Sequence, residues 1–170
     1  PQAQLFVARQ RELRQLDAHL ERALAEGVGQ VVFVIGEAGS GKTALVTEFV
    51  QQAMATHPAL VPARGHCSAQ AGMGDPYLPF REIFGMLSGD VEPRRAGGAL
   101  TPEHARRLWA TLPSMARALV HQGPDLVGPL IPGADLALRA ESYAPEAPWR
   151  ASLDELIRRK AGSGEALVVP

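Results

Sequence analysis

The residues of this chain best suited to chemistry are consecutive: Gly36, Glu37, Ala38, Gly39, Ser40, Gly41, Lys42 and Thr43. They match G-x-x-x-x-G-K-[ST], the pattern of a phosphate-binding loop. The chemistry explains the residue types. A triphosphate is a dense anion, best met by backbone N–H groups turned inward. Gly36, Gly39 and Gly41 allow that turn and a close approach without a clashing Cβ. A helix starting at the loop adds free N–H groups and the positive end of its dipole. Lys42 would reach the β- and γ-phosphates as a point charge, and Thr43 would place its hydroxyl on Mg²⁺. The expected ligands are therefore a nucleoside triphosphate and Mg²⁺.

The loop needs elements to hold it. Before it, Val31 to Ile35 is an apolar, largely β-branched run that predicts a strand. After it, Leu45, Val46, Phe49, Val50 and Ala53 recur at helical spacing, predicting a helix over Lys42 to Met54. It should end near His57-Pro58, because the residue before a proline avoids the α region. A loose match to the loop pattern arises by chance in roughly one chain of this length in a hundred or fewer. The strand and helix signals lower that further. Lysine usage points the same way: of 17 basic residues only Lys42 and Lys160 are lysines, and one stands where the pattern requires it.

A length of 170 residues suggests one domain with a sizeable core, and 46% hydrophobic residues is ordinary for a globular chain. A net charge of −1 implies no general attraction to nucleic acid or anionic membrane. The single cysteine, Cys67, excludes an internal disulfide and is expected as a small buried apolar residue. No signal peptide or membrane span is legible, so a cytoplasmic location is expected.

Elsewhere the pattern is helical. Leu13, Leu16, Leu20 and Leu24 mark an amphipathic helix from Arg9 to Ala25, stopped by Gly27 and Gly29. Leu60 to His66 reads as a second strand weakened by Pro62, and Ser68 to Asp75 as a loop. Pro76 to Leu87 predicts a short helix, and Asp90 to Leu100 a loop. Thr101-Pro102 is a good helix start, although Pro113 should kink or split the helix that follows. Gly123 to Gly133 reads as irregular, Asp135 to Ala140 as one or two helical turns. In a last helix, Asp154–Arg158 and Glu155–Arg159 are expected to pair at i,i+4. Trp109 and Trp149 are expected to pack as core or groove residues.

A hydrolase of this kind also needs an acid at the end of a second apolar strand. Asp125 and Asp135 lie in irregular segments, and Asp154 and Glu155 in a helix. The apolar run Ala166 to Val169 meets Pro170 with no acid after it. No catalytic carboxylate is assigned.

Three stretches carry a family resemblance: Phe6-Val7-Ala8-Arg9-Gln10-Arg11-Glu12-Leu13, the loop Gly36 to Thr43, and Tyr77-Leu78-Pro79-Phe80-Arg81-Glu82. Together they resemble the AAA-type ATPase module of STAND signalling ATPases, a class that includes LuxR-type transcriptional regulators and cyclase-linked multidomain proteins. Ala105 to Trp109 and Gly123 to Leu126 are similar to the cyclase-linked subset. The resemblance covers roughly residues 5 to 140. It implies an α/β P-loop NTPase fold, a partial parallel sheet with helices, helix-rich after residue 75 and incomplete at the C-terminus. It further implies a nucleotide-binding core over 1–66 and a mainly helical region over 67–165. Val7 and Arg9 become candidates for contacts to the base. Relatives continue into a paired-acid Walker B motif, so the chain is expected to be a fragment, a truncated product, or a protein completed by further C-terminal domains or a partner.

The leading expectation is thus a nucleotide-binding part of a signalling ATPase, with weak or absent turnover and with no direct contact to nucleic acid or membrane. Two alternatives stay open: a small P-loop kinase and a non-catalytic interaction fragment.

Overall fold

The computed structural model describes residues 9–67, 75–98 and 100–163. Residues 6 to 8, the segment Ser68 to Gly74 read from the sequence as part of a loop, and the apolar run Ala166 to Val169 with Pro170 lie outside the described residues. The chain divides into two compact units, Pro1–Leu60 and Val61–Pro170.

The first unit is a helical hairpin. Helix α1, Gln10–Glu26, follows the leucine spacing and ends where Gly27 takes φ 64°, a left-handed cap. Helix α2, Lys42–Thr56, ends at His57, whose extended backbone suits the proline that follows. The two helices pack through the buried faces carrying Leu13 on α1 and Leu45 and Ala53 on α2. His57 Nε2 lies 3.0 Å from Glu21 Oε1 and ties the end of α2 to α1.

The second unit is a helical cluster. It comprises α3 Leu78–Leu87, α4 Glu92–Ala96, α5 Pro102–His121, a 3-10 turn at Pro124–Leu126, α6 Gly133–Tyr143 and α7 Arg150–Ser163. Helix α5 is its spine. Thr101 caps it, its side chain accepting from His104 N at 3.1 Å, with Pro102 in the first turn. Leu112, Ala116 and Leu119 bury one stripe against Ile131, Leu136, Ala140, Leu153 and Leu156. Leu108 and Ala105 continue it into a smaller cluster with Met86 and Val91. Trp109 and Trp149 both pack against the larger cluster, and Trp109 stacks on Tyr143 with ring centroids 5.9 Å apart.

The expected α/β fold with its partial parallel sheet is not what forms. Among the described residues there is no strand, only an isolated bridge between Val127 and Ile131. The reason lies in the pairing requirement. A strand's N–H and C=O groups are satisfied only by a neighbouring strand, and Val31 to Ile35 meets none. Val34 is half-buried beside α1, whereas Val31, Phe33 and Ile35 remain 81%, 82% and 91% exposed. Leu60 to His66 likewise forms no strand. Its Pro62 has no N–H to give a ladder. Instead the Pro62 carbonyl accepts from His104 Nε2 at 2.7 Å, and His66 N donates to Glu82 Oε2 at 2.7 Å.

Four smaller expectations also change. Pro113 does not split α5, which runs unbroken across it. The cost of an interior proline, about 3 kcal/mol, is outweighed by the fully buried Leu108 and Leu112, each worth about 1.5–3 kcal/mol. Asp90 to Leu100 contains α4, because Val91 is fully buried and pins the segment. Asp154 pairs back to Arg150 at 3.5 Å, and Glu155 with Arg158 at 2.8 Å, so the i,i+4 partners expected from spacing are replaced by others equally near on a helix surface. Cys67 is an exposed free thiol rather than a buried one.

Candidate functional site

The loop Gly36 to Thr43 is built as a tight turn that runs directly into α2. Ser40 N donates to Glu37 O at 3.2 Å, closing the turn. Gly39 and Gly41 then take φ 75° and 80°, left-handed values that an L side chain resists. Gly41 caps α2, and Leu45 N donates to its carbonyl at 2.9 Å as the first helical bond. No side chain caps this end. The N–H groups that open any helix have no acceptor within it, so Lys42, Thr43 and Ala44 present theirs at the loop. Burial of Leu45 and Ala53 sets the direction in which this end points.

The side chains complete a cradle. Lys42 Nζ donates to Gly36 O at 2.9 Å and to Glu37 O at 2.7 Å. An ammonium has three donors, so one N–H stays available to another acceptor. Thr43, the second residue of α2, is exposed, as are Gly36 to Gly39 and Gly41. Ser40 Oγ is buried without a hydrogen-bond partner. A Cβ on Gly36 would fall 2.8 Å from it, so a side chain at position 36 would require the Ser40 hydroxyl to shift. The Ser40 carbonyl accepts a hydrogen bond from the Arg9 guanidinium. Spacing alone does not reveal that contact, because 31 residues separate the partners. Arg9 thus lies on the loop; Val7 is outside the described residues.

These residues fit a nucleoside triphosphate with its cation. The open N–H groups, the remaining donor of Lys42, the exposed Thr43 hydroxyl and the orphaned Ser40 hydroxyl all belong to one turn. Its backbone can be approached closely because its glycines carry no side chains.

The acidic residues weighed from the sequence are placed otherwise. Asp125 is 90% exposed, 2.5 Å from Lys160, and the hydrogen bond and charge of that lysine hold its carboxyl below the usual range. Asp135 lies in the first turn of α6. Asp154 and Glu155 are held by arginines on α7. Among the described residues no group of three or more His, Cys, Asp or Glu could hold a metal ion. His66 forms a pair with Glu82, its Nδ1 3.0 Å from Oε2. Partial burial alone would raise the Glu82 carboxyl, but the hydrogen bonds and charge of His66, with Arg94, outweigh it and lower the pKa. No helix among the described residues is long and apolar enough to cross a membrane.

Comparison with known proteins gives one family match. No curated protein and no solved structure matches the chain. The profile of the family described as AAA ATPase domain matches residues 5–130, a span that holds the whole loop from Gly36 to Thr43 and most of the chain. By that match the chain belongs to the AAA ATPase domain family.

Proposed function

We propose that this chain binds ATP with Mg²⁺ through Gly36, Glu37, Ala38, Gly39, Ser40, Gly41, Lys42 and Thr43, as the nucleotide-binding part of a signalling or regulatory ATPase. The observation that carries this reading is the loop itself. Its turn at Glu37–Ser40 and its left-handed Gly39 and Gly41 deliver the backbone to the first turn of α2, with Lys42 on the loop carbonyls. The family match supports nucleotide binding in general. The STAND-type assignment, with a cytoplasmic location and C-terminal effector domains or a protein partner, rests on the resemblance of Phe6 to Leu13, the loop Gly36 to Thr43 and Tyr77 to Glu82.

Each residue has a distinct part. The backbone N–H groups of Lys42, Thr43 and Ala44 bind phosphate oxygens without a change of protonation. Lys42 supplies positive charge and gives its remaining N–H to a phosphate oxygen. Thr43 would hold the Mg²⁺, which when bound neutralises phosphate charge. Glu37 and Ala38 shape the exposed rim of the turn.

The test is calorimetric titration of MgATP into the wild-type chain and into Lys42→Ala. Loss of the ammonium should weaken binding at least about a hundredfold, equivalent to about 2.7 kcal/mol, with the helical circular dichroism unchanged. Equal affinity for the two proteins would refute the assignment.

A further inference from the structure

We propose that Arg9 is a positioning residue of the nucleotide site: its guanidinium clasps the phosphate-binding loop by the Ser40 carbonyl. The proposal rests on the nucleotide-binding reading above. Arg9 immediately precedes α1, is half-buried, and donates through Nη2 to Ser40 O. The same nitrogen lies 3.9 Å from the place a Cβ would occupy on Gly41, the residue that caps α2.

The consequence follows from how the loop is anchored. Its far end is fixed, because Gly41 leads into a helix packed on α1. Its near end follows the exposed, unpaired run Val31 to Ile35, which gives it little support. Between them stand two left-handed glycines, the residues that lose most freedom on ordering. A cationic donor on the Ser40 carbonyl fixes the turn at its weakest point. Hydrogen bonds from charged donors are about twice as strong as neutral ones. The clasp also keeps a second positive charge, besides Lys42, at the end of α2 where anions are favoured. Arg9 therefore pre-organises the loop, so that phosphate binding does not bear the whole cost of ordering it.

The experiment compares wild type, Arg9→Met and Arg9→Lys by MgATP calorimetry, thermal melting and amide hydrogen exchange at Ala38 to Gly41. Arg9→Met should bind about tenfold more weakly, equivalent to about 1.4 kcal/mol, exchange faster at the loop amides, and melt as wild type does. Arg9→Lys keeps a cationic donor and should stay within about threefold of wild type. Wild-type affinity and exchange in Arg9→Met would overturn the proposal. So would weak binding shared by Arg9→Lys with a lowered melting point, since Arg9 would then serve the fold and not the loop. Absence of MgATP binding by the wild-type chain would instead defeat the nucleotide reading, and loop exchange in Arg9→Met would still decide the clasp. If Arg9→Met does not fold, Arg9→Lys decides: preserved binding and loop protection support the clasp, and a tenfold loss in a folded variant overturns it.

Discussion

Removing the same atoms from two leucines should separate packing from mere hydrophobicity in the second unit. Leu112 on α5 is fully buried, among Ala116, Leu119, Ile131, Leu136 and Leu153. Leu138, on the neighbouring α6, is 64% exposed. Leu112 is enclosed by α5, α6, α7 and the Val127–Ile131 segment, so the walls cannot easily collapse into a void. Leu112→Ala should then cost about 3–4 kcal/mol, in the middle of the range for buried leucines. Leu138 has only about a third of its surface to lose. Scaling the 1.5–3 kcal/mol of full burial, Leu138→Ala should cost less than about 1 kcal/mol, further reduced by the better helix propensity of alanine. Urea unfolding gives both numbers by linear extrapolation. Trp109 and Trp149 pack on this cluster and supply its fluorescence signal. A cost below about 1 kcal/mol for Leu112→Ala, or equal costs for the two, would refute the placement of the core along α5.

Two further perturbations follow. The pKa of Glu82 is lowered by its pairing with His66, so the stability it contributes is present above the usual carboxylate range and lost as pH falls through the lowered value; acid titration of melting temperature should flatten in Glu82→Gln, and an unchanged acid limb would contradict the pairing. Thr101→Ala removes the side-chain cap of α5 and should destabilise the unit by about 1 kcal/mol in the same urea assay, whereas an unchanged midpoint would mean that the cap contributes nothing.

Legibility in the sequence followed the range of the interactions. Helices α1, α2 and α5 were readable because a buried stripe such as Leu108, Leu112 and Leu119 repeats within one segment. The candidate loop was readable because its glycines, Lys42 and Thr43 are contiguous, so spacing alone places them on one turn. What failed depended on partners. Val31 to Ile35 carries strand composition, but a strand exists only beside another, and no described residue supplies one. Helix α4 was missed because a single buried residue, Val91, anchors a polar segment. Cys67 was misplaced because a lone residue has no periodicity to mark its burial. The Arg9–Ser40 contact joins residues whose sequence neighbours carry no shared pattern.

The most direct test of nucleotide binding at this loop is residue-resolved. A ¹⁵N-labelled sample would be titrated with MgATP, and amide chemical shifts followed across the chain. The largest changes should fall on Gly36 to Thr43 and on Ala44 in the first turn of α2, saturating together with one affinity. Shifts that leave this loop unmoved, or that centre on α5 to α7 instead, would contradict the account.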